Sequence, residues 1–241
     1  RCDQIDETSV GVYHCINRCV RQAFLCGDDP VSGANYDHRK SWIQQRLEFL
    51  AGEFAVDVIG FSVMSNHFHL ILRNWPDVVD LWPDSEVAWR WWNLFPGRRD
   101  PDGSPAEPSK SEIKALGMRI RSLRRRLSNI SWLMRCLAEN VARRANREDA
   151  KTGRFFQGRF KSQQLLDESA ILACAIYVDL NPIRAAIATT PEANRFTSAY
   201  ERIRGRQRRA RRKKQKRGES FGDQANFTSL GILPGEPAAC P

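Results

Sequence analysis

Two spacings that would place the chain in a simple class are missing from it. None of its seven cysteines forms a CxxC pair, which removes the strong zinc-site patterns. No apolar run approaches the ~18 residues of a membrane helix. The first residues, RCDQIDETSV, lack the apolar stretch of a secretory leader, so the expectation is a cytosolic protein free of the membrane. The cysteine number is odd, and most of these side chains read as small apolar fillers in a reducing compartment. Histidine and tyrosine are scarce, with four of each, so clusters of either carry information.

Cationic residues are abundant. The 241 residues carry a formal charge of +10, which suits a polyanionic partner such as nucleic acid. The charge is uneven. Residues 202–217, RIRGRQRRARRKKQKR, hold eleven Arg or Lys and no acid, and residues 218–241 hold three acids and no base. Residues 1–201 are therefore left at +2, and the basic signal lies in the tail. Like charges at this density repel one another, so residues 191–241 are expected to be a disordered basic tail that touches DNA. Arg208, Arg209, Arg211, Arg212, Lys213 and Lys214 are its candidate contacts. The apolar fraction of 41% places the remainder among globular proteins.

The pattern along the chain alternates. VGVYHCINRCV (10–20) reads as a strand, 27–36 as a turn, and 37–54 as a helix with Ile43, Leu47, Leu50 and Phe54 on one stripe. Residues 56–64 and 67–73 read as a hairpin. Trp75–Pro108 reads as irregular, 111–127 as one long helix, and 130–148 as another, carrying Ile130, Met134, Leu137 and Val141. Residues 154–166 return to strand, and Asp167 suits the N-cap of the helix after it. Asn181-Pro182 is expected to end that helix and start a short one, and order is expected to fade after about residue 190. This order suits an α+β sandwich of one antiparallel sheet with helices packed on it.

Within the hairpin, SNHFHLIL (65–72) carries two of the four histidines. Strand side chains alternate, so His67, His69 and Ile71 point one way and Phe68, Leu70 and Leu72 the other. Two imidazoles about 7 Å apart along one strand could hold a metal ion. They could equally be half-buried histidines satisfied by hydrogen bonds. Tyr177 lies on the late amphipathic helix, and Asn181, four residues on, shares its face. These two could instead be a core tyrosine and a cap.

Four blocks in order, YHCINRC, VMSNHFHLIL, GRFFQGRFKSQQLL and YVDLNPIRAAI, resemble the HUH-type single-tyrosine transposases, with the REP-associated tyrosine transposases as the nearest branch. The similarity spans about residues 10–190, with an inserted helical segment at about 75–130. The resemblance implies a ferredoxin-like fold that cuts and rejoins single-stranded or hairpin DNA, as a monomer or homodimer. Tyr177 would attack the phosphate and leave a 5′-phosphotyrosine. His67 and His69 would hold a divalent ion, Mg or Mn. Related enzymes place a polar third ligand one turn after the tyrosine, where Asn181 stands, either as ligand or as cap. No nucleotide cofactor is needed, because the phosphotyrosine keeps the bond energy for rejoining. Arg18, Arg159 and Lys161 are candidate phosphate contacts, or ordinary surface charge. Trp89, Trp91 and Trp92 would stack bases or pack the inserted helices. Two other readings remain, a non-catalytic hairpin-binding protein and a hydrolytic zinc enzyme.

Overall fold

The computed structural model describes residues 5–20, 25–28 and 33–216. Cys2, Cys240, the middle of the expected 27–36 turn and residues 217–241 of the tail lie outside the described residues. Four strands, β1 (Val12–Arg18), β2 (Val56–Val63), β3 (His67–Asn74) and β4 (Lys161–Leu165), form one sheet in the order β2-β3-β1-β4. Every neighbouring pair is antiparallel. Helix α1 (His38–Glu53) joins β1 to β2. Five helices, α2 (Pro76–Leu81), α3 (Asp84–Leu94), α4 (Lys110–Gly117), α5 (Ile120–Leu127) and α6 (Ile130–Glu148), lie between β3 and β4. The expected α+β, ferredoxin-like order is present, with a helical insertion. Helix α7 (Glu168–Arg184) and α8 (Ser198–Lys216) complete the described chain.

The alternation of β3 sorts the two faces of the sheet. Phe68, Leu70 and Leu72 face the main core with Tyr13 and Cys15 of β1. The α1 stripe, Ile43, Leu47, Leu50 and Phe54, is buried against this face, as are Met134, Leu137 and Val141 of α6. Ile71 points the other way and meets Val12 and Val178 in a smaller cluster under α7. Of the cysteines, Cys15, Cys19, Cys26 and Cys136 are buried free thiols. Burial pushes Cys19 up to about 12, which makes it an inert filler.

Several expectations are corrected. Trp75–Pro108 contains α2 and α3: Pro76 sits at the first position of α2 and Pro83 just before α3, where a missing N–H costs nothing. Trp91 and Trp92 of α3 are buried, and Trp92 Nε1 donates to the Ala106 carbonyl at 2.7 Å, whereas Trp89 is exposed. The long helix at 111–127 is two helices, because Gly117 is a poor helix former and the chain turns at Met118 and Arg119. The strand at 154–166 is confined to Lys161–Leu165. Asn181-Pro182 does not end the helix. Pro182 lies inside α7, near its C-terminal end. Nor does order fade after residue 190. Phe196, Thr197 and Ser198 are buried, and the Ser198 hydroxyl accepts from Phe61 N at 3.1 Å and donates to Asp179 Oδ1 at 2.8 Å. Arg202 adds an ion pair with Asp179. These contacts fix the start of α8, and its Arg and Lys residues are good helix formers.

Candidate nucleic-acid site on the α7 face

The site is built where α7 crosses the second face of the sheet. Asp167 caps α7, accepting from Ala170 N at 2.7 Å. Ile171, Cys174, Ala175 and Val178 form its inward stripe at i, i+3, i+4 and i+7. Val178 is fully buried against Val12 and Ile71, which sets the height and rotation of the helix. Tyr177 then falls on the flank, 40% exposed, with Asn181 one turn further along.

The sheet brings the histidines beneath them. In the β1–β3 register Arg18 faces His67, Ile16 faces His69 and His14 faces Ile71, so His14, Ile16 and Arg18 share the His67/His69 face. His69 is almost fully buried. Its Nδ1 lies 2.9 Å from His14 Nε2, the two rings stacked at 14°. Asn181 Nδ2 donates to His69 Nε2 at 2.8 Å. The Tyr177 ring stands edge-on to both imidazoles, its centroid 5.7 Å from His69 and 6.1 Å from His14. The His67 and His69 ring centroids are 4.9 Å apart. All four residues singled out for chemistry, Tyr177, His67, His69 and Asn181, therefore meet in one place.

The hydrogen bonds assign the protons. His67 Nδ1–H donates to Asn66 Oδ1 at 2.6 Å, which leaves the Nε2 lone pair free. His69 Nε2 accepts from Asn181, so His69 Nδ1 carries the proton and donates to His14. Burial is the main cause of lowered histidine pKa values here. It takes His67 down to about 4, helped by Arg18, and His69 down to about 3, helped by His67, His14 and Arg18. Burial also lowers His14. At neutral pH the site holds three uncharged imidazoles, which are lone-pair donors rather than acids.

A divalent ion fits part of this set. His67 has the arrangement of a metal-binding histidine, one nitrogen held by a carbonyl oxygen and the other open. His69 does not present a free lone pair, because Asn181 turns its amide nitrogen toward it. Among the described residues no group of three or more His, Cys, Asp or Glu side chains is arranged to hold a metal. With the Asn181 amide turned over, the set would be two imidazoles and one amide oxygen, with no carboxylate, which suits Mn better than Mg.

The candidate phosphate contacts separate. Arg18 is exposed at the end of β1 beside His67. Lys161 is exposed and pairs with Ile16, which pairs with His69, so it lies on the site's face two strands away, about 10 Å. Arg159 is exposed but precedes β4 in a bend, so it is not fixed to this face by the strand. Arg208, Arg209, Arg211, Arg212, Lys213 and Lys214 lie on α8, which is anchored at Asp179, on the side of α7 away from Tyr177.

Sequence reasoning missed two residues. His14 needed the β1–β3 register. The available signal was its alternation with Tyr13 and Cys15 in VYHC, which turns it away from the core. Arg184 lies seven residues after Tyr177, two helical turns, with its guanidinium 5.9 Å from the Tyr177 ring centroid.

No family model matches the chain, and no curated protein does. Among solved structures, it is similar to a REP-associated tyrosine transposase bound to a REP hairpin, at 9% sequence identity and a TM-score of 0.46, with 99% of this chain and 98% of that one covered. At such values the functional reading rests on the site itself. Among the described residues no helix is long and apolar enough to cross a membrane.

Proposed function

We propose that the protein is a DNA transposase of the HUH single-tyrosine type, cutting and rejoining single-stranded or hairpin DNA. Tyr177 Oη attacks a scissile phosphorus and loses its proton to solvent. The P–O3′ bond breaks, the 3′ oxygen takes up a proton and leaves as a hydroxyl, and the 5′-phosphate stays on the tyrosine. Rejoining is the reverse attack by a 3′-hydroxyl. The observation that carries this reading is the contrast between two tyrosines. Tyr13 is fully buried and its hydroxyl accepts from Asp6 N at 3.1 Å, as a structural tyrosine does. Tyr177 is exposed, edge-on to two imidazoles, and among the described residues its hydroxyl has no hydrogen-bond partner.

A phenol with an ordinary pKa of about 10 attacks poorly at neutral pH unless the phosphate is made electrophilic. His67 Nε2 would hold the divalent ion, Mn or Mg. His69 Nε2 and Asn181 Oδ1 would join it once the Asn181 amide turns over, which breaks its bond to His69 and presents the oxygen. A bound ion supplies neutralisation of charge on the phosphate oxygens. Arg18 and Arg184 flank the same place and would orient the strand.

A second reading is a non-catalytic hairpin-binding protein. It is favoured by one observation: both ring nitrogens of His69 are engaged by protein partners. The two readings part in one experiment. Single strands and hairpins drawn from the DNA flanking the coding sequence are incubated with the protein in Mn, in Mg and in EDTA. The enzyme reading expects cleavage with either metal and none in EDTA. Full cleavage in EDTA contradicts the role given to the ion, and tight hairpin binding with no cleavage in any metal selects the second reading.

A further inference from the structure

The strongest unassigned feature is the outer half of α8. Its first turns are docked. Ser198 is held by Phe61 and Asp179, and Glu201, Gly205 and Arg208 are half-buried along one side at i, i+4 and i+7. Arg212 continues that same side at i+11, yet it is exposed. The helix has therefore left the body of the protein after Arg208. At about 100° per residue, the exposed cations Arg206, Arg209, Arg211, Arg212 and Lys213 spread over about 220° of the circumference. A helix lying on a flat anionic surface uses about a third of its circumference. Cations over more than half need phosphates on two sides.

We infer that the outer half of α8 enters the major groove of a DNA duplex, the stem of a hairpin, while the α7 face takes the single-stranded segment. The inference rests on the DNA-binding part of the reading above. The dimensions agree. A helix with its side chains is about 10–12 Å across, and the major groove is about 12 Å wide with phosphates along both walls, whereas the minor groove is about 6 Å. The charge agrees too. Arg208 and Arg212, and Arg209 and Lys213, are like-charged pairs at i, i+4 that disfavour the free helix, and flanking phosphates remove that repulsion. The anchor is stiff. Asp179, which pairs with both Ser198 and Arg202, is two residues from Tyr177, so a stem held by α8 is held at a fixed offset from the tyrosine.

The test uses the full chain and a variant with Arg209, Arg211, Arg212 and Lys213 each changed to Gln. Binding is measured by fluorescence anisotropy over a range of salt, on a hairpin with a two-turn stem and on an unstructured single strand. Four released phosphates correspond to a log–log salt slope about 3–4 smaller. The expected result is that loss on the stem, with a clearly smaller loss on the single strand. Guanine N7 atoms line the major groove, so dimethyl sulphate should find stem guanines protected by the parent and open with the variant. Equal slope losses on both DNAs, or stem guanines that the parent leaves unprotected, overturn the inference and point to a single strand wrapped on the helix. If the parent binds neither DNA even at low salt, the DNA reading itself falls.

Discussion

Lowering the pH should destabilise the fold through His69, by an amount that can be worked out. An exposed histidine has a pKa of 6.5, and burial takes that of His69 down to about 3. As pH falls below 6.5 the unfolded chain takes up a proton that the folded chain refuses, so stability is full above that value and declines toward the folded pKa. At about pH 5 the unfolded histidine lies 1.5 units below its pKa, and at 1.36 kcal/mol per unit the loss is about 2 kcal/mol. That figure depends on the unfolded pKa alone, because the folded one is lower still. His67 adds a smaller loss of the same sign, since it is more open to water. The exposed carboxylate of Glu112, held down to about 2, contributes stability that fades only below its ordinary 4.5, outside this window. The assay is urea unfolding of the parent and His69→Gln in EDTA, at about pH 7.5 and about pH 5. The parent should lose about 2 kcal/mol more than the variant between the two conditions. The variant's own stability cancels in that difference. Equal losses in both proteins would refute the claim that His69 is buried and neutral.

Three further outcomes follow from the packing and hydrogen bonds. Val178→Ala removes two carbons from the fully buried contact that seats α7, and urea unfolding should show a loss of about 2 kcal/mol, with cleavage reduced as Tyr177 loses its fixed height. Arg39 is buried against Glu148 and Asp149, and Arg39→Ala should cost about 3 kcal/mol by the same assay, because Asp149 loses its partner and Glu148 keeps only His38. His14→Ala should leave the fold intact and weaken Mn binding about tenfold or more in a calorimetric titration, because His14 is the group that orients the His69 ring.

The sequence was legible where local pattern decides the outcome. The 2.0 period of β3 separated His67 and His69 from Phe68 and Leu70 without any knowledge of partners. The 3.6 period of 38–53 named the buried stripe of α1, and Asp167 capped α7 because a short acceptor before a helix has one obvious use. The register between distant strands was not legible. His14 joins His69 only through a pairing across more than fifty residues. Prolines misled in both directions. Pro76 and Pro83 start helices within a segment that reads as irregular, and Pro182 sits inside the helix that Asn181-Pro182 is expected to end. Asn181 consequently does not cap a new helix and is free to reach His69. The start of α8 was hidden by its own charge, since the anchor at Ser198, Arg202 and Asp179 is tertiary and leaves no periodic trace.

The central claim is that Tyr177 forms the covalent bond to DNA, and one measurement tests it directly. The parent and Tyr177→Phe are incubated with a cleavable single strand and a divalent ion, resolved on a denaturing gel, and the linked peptide is mapped by mass spectrometry. Tyr177→Phe removes one exposed oxygen and little volume, so the variant should fold and bind DNA as the parent does. The parent should give a protein–DNA adduct on the peptide that contains Tyr177, and the variant none. An adduct on Tyr13, Tyr36 or Tyr200, or undiminished cleavage by the Phe variant, would contradict it.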